Sequence, residues 1–572
     1  MIISSLVKRY EAKPTVPQGW QRRGASHALD ISENGELLGV IPLEWEEIIQ
    51  VGNKKVSKIR KKIFNLPSPG VRSSGVKGVF LCDNVGYILG IDEKRGVEKF
   101  EAARELHMSV LKNVHTVTSK AIKAWFNVGI IATNIDAINV AIPDAKALNQ
   151  ATFVFQVNGK NADYDDLEIR NAWNDYYSQA DCEEQILCLV TGEYDIPERI
   201  HDTLKLRGGQ SSGSNLISAN ANSFTSYGKT KDDRATEIGK YAAFAHITAL
   251  RDLLDDEKHR QFLGGDTLVY WAESGKGEEE ALFSWMSQPT ESDSDKLNNL
   301  IKRLVDGNSI EPDKVSLNSK FHLLCLSPNA SRISIRFFFT DSFGVILKNS
   351  LAHYRRLEIF KAGNDPFPYL PYRIILNETT VTKKSADITP LLGGQYMHSI
   401  ITNSKYPMTM YQAIFKRIRA GEEISKAKAA VIKAVLAKNY DESEVTTVSI
   451  NTQTDNKPYV LGRLFSVLEM LQKQASGGSL NSTIRDRYFA SACANPGNVF
   501  PTILKLSNHH SAKLDNAVYY EKLKAELLGK LDMEFPFPKT LTLDDQGRFI
   551  LGYYHQTQDF YTSKNKENNN EE

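Results

Sequence analysis

The sequence predicts an α+β protein, with a β-rich N-terminal region followed by a C-terminal helical bundle. Short apolar runs such as 39–43 and 79–81 are separated by Gly, Pro and Asn, which is typical of strands joined by turns. Residues 331–337 partly alternate between polar and apolar side chains, as in a strand with one covered face. From about Pro407, apolar residues recur at the i, i+3, i+4, i+7 spacing of amphipathic helices.

The length of 572 residues is too great for one hydrophobic core, so several domains are expected. We predict an α+β region over 1–405, with a further boundary near 230 left open, and a helical bundle over 406–560. The polar run at 561–572 predicts a disordered tail. Local patterns predict a helix over 101–126, strands over 152–157, 186–190 and 331–337, and a break between helices over 474–480.

Composition places the chain among globular proteins, at 41% hydrophobic and 24% charged residues. No run of eighteen apolar residues exists, so a membrane partner is not expected. The first residues lack the features of a secretion signal, and five cysteines are too few for a disulfide framework. These observations predict a cytoplasmic protein.

The net charge of +1 says little about partners, but the distribution of charge says more. Between Val51 and Cys82 there is no Asp or Glu. Two interpretations remain open, a solvated basic loop and a surface for a polyanion. The cations of this stretch are Lys54, Lys55, Lys58, Arg60, Lys61, Lys62, Arg72 and Lys77.

Sequence motifs for catalysis are missing, because no phosphate-binding loop, dinucleotide fingerprint, zinc-protease motif or nucleophile elbow occurs. We therefore predict no catalytic residue, no metal and no cofactor. The alternative is a metal-dependent nuclease in which Asp252, Asp256 and His259 share one helical face. A solvated acidic helix end explains the same residues.

Residues 69–84 form the first of two polar segments that suit nucleic acid. Three glycines let the backbone approach a ligand, and serines and cations suit phosphate oxygens, while an amide suits a base edge. An ordinary Gly/Ser turn between strands is the alternative. The predicted DNA contacts here are Arg72, Ser73, Ser74, Lys77 and Asn84.

Residues 207–229 form the second polar segment, and no acid occurs between Asp202 and Asp232. So many uncharged donors are costly to bury, and Phe224 or Tyr227 would stack on bases of a single strand. A long flexible loop is the competing interpretation. The predicted DNA contacts are Gln210, Ser211, Ser212, Asn215, Asn220 and Asn222.

The helical region adds Arg485, Arg487 and Lys505, which would form a cationic track if they line a groove. The alternative for Arg485 is an ion pair with a neighbouring acid.

Eight stretches together resemble the large subunit of the subtype I-C CRISPR surveillance complex (Cascade). They are spread over nearly the whole chain in the family's order, which makes the resemblance more specific than any one motif. One departure is Val71, where the family is expected to carry a second basic residue beside Arg72. The stretches are RSSGVKGVFLCDNVGYILGID (72–92), CLVTGE (188–193), RGGQSSGSNLISANANSFTSYGK (207–229), GDTLVYWAE (265–273), SPNASRISIRFF (327–338), YVLGRLFSVLEMLQ (459–472), NSTIRDRYFASACANP (481–496) and DQGRFILGYYHQ (545–556).

The resemblance implies a non-catalytic DNA-binding subunit. In such complexes the guide RNA reads the target by base pairing, and protein reads a short protospacer-adjacent motif in duplex DNA. The implied partners are the backbone, guide-processing and small subunits, the target double-stranded DNA and a recruited helicase-nuclease. The family's helical part is also similar to a separate small subunit, for which Met408, Met410 and Met470 are candidate internal starts. A scaffold that meets only protein and RNA remains a third class.

Overall fold

The computed structural model describes the chain apart from residues 52–53, 70–74, 128–134, 162–165, 180–184, 220, 226, 229–235, 276, 289–314, 366, 368, 385–386, 478–480, 515–516 and 569–572. Two compact units result. Unit 1 comprises Met1–Leu204 and Asn215–Asp252, and unit 2 comprises Lys205–Ser214 and Leu253–Glu572. Helix accounts for 47% of the residues and strand for 18%, which confirms the predicted α+β class.

The elements up to the end of unit 1 come in runs, with the strands between residues 20 and 84 preceding the helices between residues 85 and 150. The strands are β1 (Trp20–Ala25), β2 (His27–Ile31), β3 (Leu37–Pro42), β4 (Glu44–Val51), β5 (Lys54–Pro67), β6 (Cys82–Asn84), β7 (Thr152–Val157), β8 (Lys160–Asn161), β9 (Ile186–Leu187), β10 (Tyr194–Asp195), β11 (Thr203–Leu204) and β12 (Ser214–Asn215). The helices are α1 (Ile2–Ala12), α2 (Val85–Ile88), α3 (Gly96–Val110), α4 (Val117–Asn127), α5 (Ile135–Ala141), α6 (Ala145–Gln150), α7 (Leu167–Gln179) and α8 (Lys240–Asp255).

A mixed sheet in the order β3–β2–β7–β6 lies at the centre of unit 1. β2 and β7 are parallel, whereas their outer neighbours are antiparallel. β7 is buried at five of its six positions, as expected for a strand covered on both faces. Its Phe155 meets the rings of Trp125 and Phe126 from α4, so the aromatic residues of one helix cover this strand.

A second, antiparallel sheet joins β1, β5 and β4 in that order. β5 is long because it pairs first with β4 and then with β1 along its length. Within the part of β5 beside β1, Leu66 is fully buried in the core, whereas Ile59 and Ile63 of the same strand are exposed. Within the stretch that the sequence left open as a basic loop, residues 54–67 are therefore a paired strand with exposed side chains.

In the rest of unit 2, a helix lies between the second and third strands, and further helices follow the last strand. The strands are β13 (Arg260–Leu263), β14 (Asp266–Ala272), β15 (Lys320–Asn329) and β16 (Arg332–Ser342). The helices are α9 (Glu278–Ser287), α10 (Phe343–Leu357), α11 (Tyr372–Asn377), α12 (Leu392–Thr402), α13 (Met408–Arg419), α14 (Lys426–Asn439), α15 (Lys457–Ala475), α16 (Ile484–Ala494), α17 (Pro496–Ser511), α18 (Val518–Gly529) and α19 (Leu543–Asn568).

One hydrophobic core connects the sheet of unit 2 with its helices. Strands β16, β15, β14 and β13 are antiparallel neighbours, and one face of the sheet carries buried Tyr270, Phe321 and Leu323. The same cluster of buried side chains extends to Phe560 in α19. The helices after residue 406 therefore share the core of the sheet that precedes them in the sequence.

Helices α15 and α19 approach so closely that each presents a glycine to the other's backbone. A Cβ atom on Gly462 would lie 1.9 Å from the carbonyl oxygen of Phe549. A Cβ atom on Gly552 would lie 2.0 Å from the carbonyl oxygen of Tyr459. These distances are far below van der Waals contact, so both positions require glycine for this crossing.

The strands and helices predicted from local sequence patterns agree only in part with those of the structure. Strands over 152–157 and 331–337 are confirmed by β7 and β16. The prediction that the chain turns helical only near 407 is wrong, because α10, α11 and α12 already lie between Phe343 and Thr402. The single helix predicted over 101–126 is wrong, because Thr116 caps a new helix, α4, by accepting the Ser119 N–H. The strand predicted over 186–190 shortens to β9. The break predicted over 474–480 begins within the last two residues of α15, and its residues 478–480 lie outside the described residues.

The contact-defined units divide the chain near 252, whereas the sequence placed a boundary at 405/406 and left one open near 230. The predicted tail over 561–572 starts inside α19, which continues to Asn568. Residues 569–572 lie outside the described residues.

The glycine contact predicts that Gly462→Ala and Gly552→Ala each destabilise unit 2. Forcing a methyl group into a closed backbone contact costs about 1–3 kcal/mol or more, because the two helices must separate. Thermal unfolding of the full chain, followed by circular dichroism, measures the loss.

Gly529→Ala is the matched control, because nothing lies within 4 Å of a Cβ atom on that α18 residue. This change should leave the transition temperature the same or raise it slightly. Equal effects of the three substitutions would contradict the close crossing.

Candidate nucleic-acid interface

The cations of β5 are partly compensated by carboxylates on the neighbouring strand. β4 and β5 are antiparallel, with Glu47 opposite Lys58 and Glu44 opposite Lys61. The Arg60 guanidinium donates a hydrogen bond to the Glu47 carboxylate, and the Lys61 ammonium lies 3.7 Å from the Glu44 carboxylate. The acid-free stretch therefore loses part of its positive potential to acids that precede it in the sequence.

The same hairpin exposes an aromatic ring beside its cations. Trp45 is directly opposite Arg60 in the β4–β5 register, and it is 53% exposed. Lys58 and Lys62 project to the same face of β5, because side chains alternate along a strand, and both are exposed. An exposed indole among cations is a surface on which a nucleic-acid base can stack. Sequence reasoning missed Trp45, although its position in the run EWEE just before the basic strand was a usable signal.

The loop before β6 contacts α3 at Gly78, whereas the described residues leave the space beside Gly75 empty. A Cβ atom on Gly78 would lie 2.7 Å from Cα of Ala103, so the loop backbone rests directly on the helix. A Cβ atom on Gly75 would meet nothing within 4 Å, and its φ of +75° favours glycine. Lys77 lies between them with an exposed side chain. The loop thus presents one cation from a rigid support.

Two buried polar side chains hold the same loop. The Asp83 carboxylate accepts the Val79 N–H at 2.8 Å. Nε2 of His107 accepts the Leu81 N–H at 2.9 Å, and its Nδ1 is 2.7 Å from the carbonyl oxygen of Ala103. Burial lowers the pKa of His107 to about 4, so the ring is neutral at physiological pH and keeps one acceptor nitrogen.

Asn84 uses its side-chain oxygen inside the protein. It is the N-cap of α2, where its Oδ1 accepts the Gly86 N–H at 3.0 Å. The side-chain amide of Asn84 has no partner within the described residues, and the residue is half-buried. The other predicted contacts of this segment, Arg72, Ser73 and Ser74, lie outside the described residues.

The second polar segment is less open than its composition suggested. The Gln210 amide donates to the Gly213 carbonyl oxygen at 2.7 Å, and the Asn215 amide donates to the His201 carbonyl oxygen at 2.8 Å. Ser211 and Ser212 form the exposed tip of the turn between them. Two of the predicted amide contacts thus stabilise the turn that carries the serines.

The rest of this segment belongs to unit 1. Asn222 begins a short 3₁₀ helix with an exposed side chain, and Phe224 of that helix is 52% exposed. Tyr227 is almost fully exposed, at 96%. Two aromatic rings are thereby accessible, as the stacking hypothesis requires, while Asn220 lies outside the described residues.

Of the three cations predicted to form a track in the helical region, Arg485 is bound within the protein, and Arg487 and Lys505 are exposed. The Arg485 guanidinium donates to the carbonyl oxygen of Glu422 at 2.9 Å. Within the described residues Arg485 forms no ion pair, which contradicts the alternative of a neighbouring acid, and the adjacent Asp486 instead closes the capping box with Thr483. Arg487 and Lys505 are exposed, and neither has a partner in the part of the chain that the structure describes.

The chain matches the family of the CRISPR-associated protein Cas_Csd1 over residues 6–561. The chain belongs to the CRISPR-associated Csd1 family. The predicted resemblance is confirmed as far as membership of this CRISPR-associated family, and the matched residues extend through both units. A search of curated proteins found no match.

The acidic residues of the nuclease alternative do not share a helical face in this Csd1-family chain. α8 ends at Asp255, and Asp256 turns the chain by accepting the Lys258 N–H, so His259 lies beyond the helix. Asp252 accepts a hydrogen bond from Thr15 at 2.5 Å. Within the described residues, no three His, Cys, Asp or Glu side chains are grouped to hold a metal ion.

The described helices differ from membrane-spanning helices in length or in hydropathy. None of these helices combines the length and the apolar character that a bilayer crossing requires.

The cap at Asn84 predicts that Asn84→Ala lowers the stability of unit 1 by about 1 kcal/mol, because the Gly86 N–H loses its acceptor. Asn84→Asp keeps an acceptor at the same place and should retain the stability. Chemical denaturation monitored by tryptophan fluorescence compares them. Equal losses for both variants would show that the cap contributes nothing.

Proposed function

We propose that this Csd1-family protein is the large subunit of a type I-C CRISPR RNA-guided surveillance complex, and that it binds target DNA without cleaving it. The observation that carries the proposal is the loop over 75–84, in which exposed Lys77 stands on a glycine contact with α3. The family match over residues 6–561 supports the CRISPR context.

The loop suits recognition of the protospacer-adjacent motif in duplex DNA. A contact that reads one base pair needs a fixed backbone, and Gly78, Asp83 and His107 supply three attachments. Lys77 would contact a phosphate, while the unpartnered amide of Asn84 would donate to a base edge. The open side at Gly75 leaves room for the sugar-phosphate backbone.

Opening of the duplex is the next step that this subunit would assist. Pairing of guide RNA with one DNA strand nearly balances the loss of the DNA duplex, so modest protein contacts decide the direction. Exposed Trp45, Phe224 and Tyr227 would stack on unpaired bases, and Arg487 and Lys505 would hold phosphates of the displaced strand.

The proposed partners follow from this role. The chain would assemble in the cytoplasm with the backbone, guide-processing and small subunits, and it would present a docking face to the helicase-nuclease that cuts the target. The helices from α13 onward correspond to the part resembling a small subunit. A start at Met470 would divide α15, whereas a start at Met408 would keep α13 to α19 intact.

Lys77→Ala is predicted to weaken binding of target duplex by the assembled complex and to reduce the slope of affinity against salt by about one unit, because one phosphate contact is lost. Asn84→Asp should weaken binding further at the motif, since it replaces donors with a negative charge while keeping the cap. Gel shifts across a salt series measure both.

Lys94→Ala is the matched control, an exposed lysine in the same unit beside Asp92 and Glu93. Wild-type affinity for Lys77→Ala at physiological salt would remove the loop from the interface. Cleavage of target DNA by the complex without its helicase-nuclease, abolished by Asp256→Ala, would contradict the non-catalytic role.

Arg487→Ala and Lys505→Ala should each reduce the salt dependence of displaced-strand binding without changing stability, because both side chains are exposed. Arg485→Ala should instead lower the unfolding temperature, because its guanidinium bonds to the Glu422 carbonyl oxygen. Permanganate footprinting of the displaced strand, repeated across a salt series, measures the first effect, and thermal unfolding measures the second. A salt slope identical to wild type for Arg487→Ala would count against the track.

A further inference from the structure

Unit 2 contains a cavity that none of the predicted sites includes. It lies between β16, α12, the loop after α12 and the first turn of α13, and its volume is about 530 Å³. Cavities of roughly 300–1,000 Å³ accommodate ligands the size of a nucleotide. All residues that line it are described.

The charge of the cavity is positive. No Asp or Glu is among its lining residues, whereas Arg336 and Lys405 are. The Arg336 guanidinium is held by Asp266 at 3.2 Å and by the Ser327 hydroxyl at 2.9 Å, so its charge is compensated. Lys405 is exposed and its ammonium has no ion pair within the described residues. Lys405 is therefore the cation available to an anionic ligand.

The remaining walls offer a ring surface and uncharged hydrogen-bonding groups. The rings of Phe337 and His398 meet edge to face, with centroids 5.3 Å apart. Burial lowers the pKa of His398, so the ring is mainly uncharged near neutral pH. The side chains of Gln395 and Thr409 line the cavity and have no partner among the described residues. The rings could contact the flat face of a base, and the uncharged polar side chains could bond to its edge or to the sugar.

We propose that this cavity binds one nucleoside phosphate of a single DNA strand, with the phosphate at Lys405, the base against Phe337 and His398, and the base edge or sugar at Gln395 and Thr409. This rests on the proposed DNA-binding role and deepens it, because it names a place where an unpaired nucleotide is held. Single strands are bound in proteins by this combination of a cation with a stacking surface.

The test uses the full chain and a short fluorescein-labelled oligothymidylate, with fluorescence polarisation as the readout. Lys405→Glu should lower the affinity about ten-fold, because a phosphate contact becomes a repulsion. Thr409→Trp keeps every charge but fills the cavity, so it should lower the affinity by a similar factor. Gln395→Ala should have a smaller effect in the same direction.

Lys539→Glu is the matched control, since Lys539 is an exposed lysine of unit 2 that does not line the cavity and the change in net charge is the same. It should change the affinity by less than about two-fold. Equal losses for Lys405→Glu and Lys539→Glu, with Thr409→Trp like wild type, would overturn the cavity as a binding site.

A second arm adds free thymidine monophosphate as competitor. If thymidine monophosphate displaces the oligothymidylate only weakly, the cavity holds the nucleotide as part of a strand. If the free nucleotide binds as tightly as the oligomer, the assignment to a strand is overturned. Failure of the cavity is distinguishable from failure of the proposed function. If Lys77→Ala weakens target-duplex binding by the complex while Lys405→Glu leaves oligothymidylate binding intact, the cavity is rejected and the duplex role remains.

Discussion

Backbone contacts at glycine positions set the spacing of the elements in both units. Gly78 lets the loop before β6 rest on the backbone of α3, and Gly462 and Gly552 let α15 and α19 approach within contact of each other's carbonyl oxygens. A backbone contact cannot adjust as a long side chain can, so it fixes position tightly. The position of Lys77 depends on the contact at Gly78. The packing of the helical core of unit 2 depends on the contacts at Gly462 and Gly552.

Local compensation of charge decides which cations are available to a polyanion. On β5, Arg60 and Lys61 face carboxylates of β4, and in unit 2 Arg336 faces Asp266. Lys77 and Lys405 have no such partner in the described part of the chain, so their charge is free to act on a ligand. A net charge near zero is therefore compatible with strong local sites, because phosphate contacts respond to the nearest charges.

Several polar residues that the sequence predicts to contact DNA form hydrogen bonds within the protein itself. The Asn84 oxygen caps a helix, the Gln210 and Asn215 amides close local hydrogen bonds, and Arg485 bonds to a carbonyl oxygen. Buried donors and acceptors must be satisfied, which explains why part of each polar segment turns inward. The proposed interface consists of what remains outside, chiefly Lys77, the Asn84 amide and the exposed aromatic rings.

The α+β class, the strands β7 and β16, and the helical character beyond Pro407 were determined by the sequence itself, because hydrophobic periodicity reports the geometry of a single element. The resemblance carried by eight separate stretches likewise led to the CRISPR-associated family. Only the tertiary structure decided that Glu47 compensates Arg60, that Arg485 is structural, and that Phe337 and Lys405 line one cavity. These relations join residues far apart in the chain, and neither composition nor spacing reports which side chains meet once the elements have packed.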